Sequence, residues 1–186
     1  SFNDIDCTAS IVKSTDLSND VLIPSYVEHK SKKYKIISIE SKAIKDTIRN
    51  LKFAEDSHVQ IFNESSFQFA VIENLEIPKS LTTIEDGCFF QSRIHNIIVS
   101  PENKFFTYID NKYLLGKSQE NLDQFDILLY ARSDLTEAVI PPYIKILKKN
   151  SFGSSLESLI LSEDSEVEII EYGVLNYQIK DFKIPK

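Results

Sequence analysis

Apolar residues recur along this chain in short triplets, apolar–x–apolar, often closed by proline. The series runs Val21-Leu22-Ile23-Pro24, Leu51-Lys52-Phe53, Leu75-Glu76-Ile77-Pro78, Ile97-Ile98-Val99, Ala138-Val139-Ile140-Pro141, Leu159-Ile160-Leu161 and Phe182-Lys183-Ile184-Pro185. Phe53 to Ile77 is 24 residues, Ile77 to Val99 is 22, Ile140 to Leu161 is 21 and Leu161 to Ile184 is 23. Alternation within a triplet predicts a strand whose outer residues face inward and whose middle residue faces out. Proline after the triplet lacks a donor and ends the strand.

A second signal follows each triplet. Seven to nine positions on stands another apolar residue: Phe62, Ile84, Leu147 or Ile170. Five residues later comes a small-then-large pair: Ser66-Phe67, Cys88-Phe89, Ser151-Phe152 and Val174-Leu175, with Ala43-Ile44 in the first unit. The large residue plugs a core and the small one permits close packing. No unit can bury its apolar side alone. Stacked units can, with Ile77 over Phe53 and Val99 over Ile77, which is the logic of a solenoid. A period in the low twenties falls in the leucine-rich-repeat range. The triplets should form parallel sheet with rungs about 4.8 Å apart.

Two stretches, FAEDSHVQIFNESSF from Phe53 and LSEDSEVEIIEYGVL from Leu161, echo each other. In both, a Glu-Asp-Ser turn replaces the proline and lengthens the unit by two residues.

The segments IPKSLTTIEDGCFF and IPPYIKILKKNSF carry a specific likeness. They resemble the BspA-like leucine-rich repeats, whose units run roughly (apolar)-x-I-P-x-x-V-x-x-I-G-x-x-A-F. VLIPSYVEHKSKKYKIISIESKAI is similar to that family's opening unit, with an inserted hairpin of strands 25–28 and 34–39 and a turn at 29–33. Asn103-Lys104-Phe105, Tyr108-Ile109-Asp110-Asn111-Lys112-Tyr113-Leu114-Leu115 and Ile127-Leu128-Leu129-Tyr130 resemble a family island of three short strands. One departure is plain. Glu40, Asn63, Glu85, Lys148 and Glu171 stand where the family has Gly, so either the turn there is built differently or these repeats are divergent.

The expected fold is an α/β solenoid, mostly β with short helical turns: a leucine-rich repeat array with parallel sheet, an N-terminal β cap and an inserted β island. It reads as one domain over residues 1–186, with the cap and opening hairpin at 1–40, repeats at 41–99, the island at 100–131 and repeats again at 132–186. The last triplet opens an unfinished unit. An open rung there predicts further repeats, a covering contact, or self-association through that end.

Composition narrows the function. With 28 acidic and 21 basic residues the net charge is −7, which argues against a nucleic-acid partner. The basic cluster at 30–35 reads as a solvated hairpin. No apolar run approaches the length of a bilayer span, so no membrane insertion is expected of this stretch. Cys88 occupies the small-residue position of its unit and reads as core, not nucleophile. Cys7 has no repeat equivalent and falls in a strand pattern at 5–12. His29, His58 and His95 lack partners at metal-ligand spacing. Glu55-Asp56, Glu163-Asp164 and Glu166 lack calcium-loop spacing. No motif supports catalysis, so no catalytic, cofactor or metal residue is assigned. Asn63-Glu64-Ser65 is a glycosylation sequon.

The middle residues, in order, are Leu22, Lys52, Glu76, Ile98, Val139, Ile160 and Lys183. Ile98, Val139 and Ile160 interrupt a charged column; exposed neighbouring apolar groups mark a partner surface or a cover, the alternative being that β-branched residues simply suit parallel strands or lie under the island. With Glu76 and Lys52 they are the candidate contact residues. Asn50, Asn74 and Asn96 predict an asparagine ladder beside them. The family resemblance implies a non-enzymatic adhesion module at the cell surface or outside the cell, binding host, matrix or neighbouring-cell proteins. An intracellular scaffold or enzyme regulator using the same face is the alternative, placed in the cytoplasm. A polysaccharide-cleaving β-helix ranks below both, because the column holds only one carboxylate.

Overall fold

A computed structural model describes residues 1–14, 19–176 and 178–184. They form two compact units, Ser1–Phe105 and Phe106–Lys186. The first carries β1 (Phe2–Asn3), β2 (Thr8–Ile11), β3 (Asp20–Ile23), β4 (Tyr26–His29), β5 (Lys32–Ile39), β6 (Thr47–Phe53), β7 (Ile61–Phe62), β8 (Val71–Ile77), β9 (Thr83–Ile84) and β10 (Arg93–Val99). The second carries β11 (Phe106–Ile109), β12 (Tyr113–Gly116), β13 (Ile127–Ala131), β14 (Glu137–Ile140), β15 (Ile146–Leu147), β16 (Ser158–Leu161), β17 (Ile169–Ile170) and β18 (Asp181–Lys183).

Within each unit the triplets lie side by side, in a parallel sheet of order β10-β8-β6-β3 in the first and β14-β16-β18 in the second, but the single series expected is broken, so Ile98 and Val139 do not stand on adjacent strands. Asn96 stands on Asn74, Ile97 on Leu75 and Val99 on Ile77. Between Val99 and Ala138 the chain spends nearly two periods in an antiparallel meander, so the triplets divide between two sheets. Pro185, after the last triplet, lies outside the described residues.

The complete strands are longer than a triplet. Ile48, Leu51 and Phe53 are all buried, as are Ile72, Leu75 and Ile77. A third inward residue therefore stands three positions before each triplet, giving the L-x-x-L-x-L form of a leucine-rich strand. The polar residue between the first and second inward positions is Asn50, Asn74 or Asn96, half-buried in each case.

The apolar residue after each triplet builds a ladder of its own. In the first unit it runs β1-β2-β5-β7-β9, with Ser38 beside Ile61 and Ile61 beside Thr83. In the second it runs β11-β12-β13-β15-β17. The island is β11, β12 and β13, and its last strand pairs in parallel with β15. It therefore extends the plug-side sheet rather than the triplet sheet. Each ladder also carries an antiparallel hairpin: β4 pairs with β5 at the side of the first, and β12 pairs with β13 within the second. The first hairpin turns at Lys30-Ser31, both with positive φ, the type I′ pattern that matches strand twist.

The expected helical turns are absent: among the described residues no helix forms. The cause is the backbone. The residue before each small-large pair has positive φ: Lys42, Ser65, Gly87, Asn150 and Gly173. Each sits third in a turn closed by an i+3 N–H, as in Ala43 to Glu40 O and Cys88 to Glu85 O, both 3.1 Å. This is the type II pattern, with its left-handed residue at the third position. The missing family glycine is thus no strain, because the left-handed residue comes two positions later. Phe69 and Gln91, also left-handed, close second turns in two units, with Ala70 N–H to Phe67 O and Ser92 N–H to Phe89 O, both 3.0 Å. Successive left-handed residues exclude a helix.

The echoed segments fold alike. Ser57 N–H donates to Ala54 O at 2.9 Å, and Ser165 N–H donates to Ser162 O at 3.0 Å. The serine hydroxyls then accept from Val59 N–H (3.3 Å) and Val167 N–H (3.4 Å). In the proline units the same turn runs from Pro78 O to Leu81 N–H and from Pro141 O to Ile144 N–H.

The plugs close the core. Phe53, Phe62, Phe67 and Phe89 form a chain of ring contacts with centroids 5.0–5.8 Å apart. Such pairs add about 0.5–1.5 kcal/mol each beyond their burial. Phe152 packs with Leu128, Leu147, Leu156 and Val174 in the second unit.

Exchanging the left-handed residues tests this turn. Lys42→Gly should raise stability by about 0.5–1 kcal/mol, and Gly87→Ala should lower it by about 1 kcal/mol, in chemical denaturation.

Candidate functional site: the outward strand positions

The five candidate residues divide between the units. Lys52, Glu76 and Ile98 lie on β6, β8 and β10, with Ile98 beside Glu76. Val139 and Ile160 lie side by side on β14 and β16, with Lys183 next to Ile160. Ile98 and Val139 are about half exposed (47% and 52%), as is Leu22 (63%), which stands beside Lys52. Lys52 is exposed and Ile160 is half-buried.

Glu76 has a structural task as well. Its carboxylate accepts the Phe53 N–H at 3.3 Å, where backbone pairing between β6 and β8 has stopped at Leu51 and Leu75.

The neighbouring outward positions are charged in alternation. Arg49 pairs with Asp20. Asp20 and then Glu73 raise the Arg49 guanidinium above its usual value. Hydrogen bonds from Arg49 and Asn50 hold the Asp20 carboxyl below the usual carboxylate range. A lowered folded pKa means that this contribution is present at neutral pH and is lost as pH falls through that value. His95 belongs to the exposed side of β10.

The asparagine ladder is present. Asn96 Nδ2 donates to Asn74 Oδ1 at 3.0 Å, and Asn74 Nδ2 donates to Asn50 Oδ1 at 2.9 Å. Asn50 Nδ2 in turn donates to Asp20. A second asparagine, Asn103, is buried and serves the core. Its amide donates to Pro78 O (2.8 Å) and Leu81 O (2.9 Å), and its Oδ1 accepts from Phe105 N–H (2.8 Å).

The remaining candidates also find their places. Cys88 is buried, with Sγ 3.2 Å from Ser66 Oγ, and burial pushes its thiol up. Cys7 lies in the turn before β2 with φ of 54°, not in a strand, and both cysteines are free. Ile5 is in the same turn. His29 stacks on Phe2, and His58 Nε2 lies 2.9 Å from Tyr26 Oη. Asn63 Nδ2 donates to Ile39 O at 3.1 Å, so the sequon amide already has an acceptor.

Parallel triplet strands, short return strands and a period in the low twenties define a leucine-rich repeat protein. The chain belongs to the BspA-type leucine-rich repeat family, whose pattern it matches in six copies across residues 25–128. No curated protein matches it. Among solved structures it is similar to the pneumococcal vaccine antigen PcpA, with a TM-score of 0.51 and 15% identity, covering 99% of this chain and 62% of that one. It is also similar to a leucine-rich repeat protein from Eubacterium ventriosum, with a TM-score of 0.54 and 17% identity, covering 80% of this chain and 54% of that one. The chain thus spans less than two thirds of either protein's length, and at these identities the likeness is one of fold.

Two measurements test the local assignments. Asn74→Ala removes one donor and one acceptor from the middle of the ladder and should cost about 1–3 kcal/mol in denaturant unfolding. A thiol reagent should titrate one cysteine, Cys7, in the native state and both after unfolding.

Proposed function

We propose that the chain is a non-enzymatic protein-binding module of a cell-surface leucine-rich repeat protein, engaging host, matrix or neighbouring-cell proteins through its outward strand positions. The carrying observation is the exposure of an apolar residue on the outward side of each triplet sheet, Ile98 in the first unit and Val139 in the second, while the inward side chains of those strands are buried or half-buried. A rigid sheet offers contact area without an ordering cost at binding. Exposed apolar groups surrounded by charge suit a partner surface better than bulk water.

The name of PcpA as a pneumococcal vaccine antigen supports the surface setting. The tested partners are therefore extracellular matrix proteins. Ile169, Tyr172, Leu175 and Ile184, all exposed in the second unit, support self-association as a further property of the same module.

Binding to immobilised matrix proteins is expected, and Ile98→Asp and Ile160→Asp should each weaken it about tenfold or more, since a buried unpaired carboxylate is costly. Unchanged binding by both variants would remove these positions from the contact surface.

A further inference from the structure

The second unit holds an open cleft of about 450 Å³, within the size range of ligand sites. Three pieces of chain build it. The first is the tight turn between β11 and β12, where Asp110 and Asn111 both have positive φ and Lys112 N–H closes on Ile109 O at 2.9 Å. The second is the end of β14 with Pro141, Pro142 and Tyr143. The third is the turn after β16, which carries Ser162 and Asp164.

Its chemistry is mixed in a particular way. Val139, Pro141, Tyr113 and Tyr143 give it apolar and aromatic walls, and Asp110 and Asp164 give it carboxylates. Tyr113 is buried and fixed, its hydroxyl donating to Val139 O at 3.2 Å. Ser162 Oγ is buried and has no partner among the described residues. Burial raises the Tyr143 phenol, and the negative charge of Asp110 adds to the effect. Burial likewise pushes Tyr113 up to about 12. Both rings therefore stay neutral at physiological pH. Lys112 lies on the same rim, and two carboxylates outweigh its single charge.

We propose that this cleft receives an arginine side chain presented by a protein partner. The methylene stem lies along Val139 and Pro141, the planar guanidinium faces a tyrosine ring, and its N–H groups reach Asp110 and Asp164. Arginine suits the site better than lysine, because its fork serves several acceptors while its flat face stacks on an aromatic ring. The inference rests on the reading of the chain as a protein-binding module and adds the chemistry of what it binds. Val139 is the residue common to both.

The test is an NMR titration of the whole chain with the blocked peptide acetyl-Gly-Arg-Gly-amide and with its citrulline analogue, which keeps the shape and loses the charge. The arginine peptide should shift resonances of Tyr113, Val139 and Tyr143, saturating in the millimolar range of a single side chain. Citrulline should bind about tenfold more weakly, and so should arginine to the double variant Asp110→Asn, Asp164→Asn. Asparagine tolerates the left-handed turn as well as aspartate does, so the variant keeps its fold. Absence of shifts at these residues up to about 10 mM, equal binding of the two peptides, or an unaltered double variant each overturns the proposal. The titration does not depend on matrix capture. Peptide binding without capture would refute the strand-face reading alone, and capture without peptide binding would refute the cleft alone.

Discussion

A strand buried on one face has nothing of its own with which to cover that face. In each unit the cover is the next strand, and the main-chain ladder brings it there. Ile97 stands on Leu75 and Leu75 on Leu51, while the strands they belong to pair through their backbones. A shift of one residue would turn every inward side chain outward. Register is therefore the constraint on which the rest depends. The plugs, the turns and the outward positions all take their places from it. Glu76 illustrates the pressure: where the ladder lapses beside Phe53, a side chain supplies the acceptor that the backbone does not.

Much of this is written openly in the sequence. Triplets such as Leu75-Glu76-Ile77 and pairs such as Cys88-Phe89 announce themselves because burial demands apolar atoms at fixed spacing. The three asparagines likewise stand at the same distance before their triplets. The two-residue return strands are harder to see, since Ile61-Phe62 or Thr83-Ile84 is too short to show a period. The third inward residue, Ile48 or Ile72, breaks the two-residue alternation and so escapes a search for it. Hardest of all are the left-handed turns. Gly87 and Gly173 hint at them, but Lys42 and Ser65 give no sign, because a backbone dihedral enforced by stacking needs no special side chain. That is why the sequence predicts a short helix where the chain makes successive turns.

The candidate surface is legible to a smaller degree. Alternation identifies which residues face out, and the structure agrees for Lys52, Ile98 and Val139. It does not disclose that Arg49 is paired with Asp20, which offsets charge next to the column. Nor does it disclose the cleft beside Val139. That cleft depends on a hairpin turn, a strand end and a loop meeting in space, with residues from Ile109 to Asp164. Strand periodicity carries no information about such a meeting.

The ladder from Asn96 through Asn74 and Asn50 to Asp20 has a direction: every amide gives a hydrogen to the preceding unit, and Asn74 and Asn50 each take one from the following unit. A whole unit copied into the middle would bring one giver and one taker, leaving no amide unsatisfied. A fractional insertion would strand both. Such an array can therefore gain or lose entire units at little energetic penalty, whereas a partial insertion leaves a donor and an acceptor unmet.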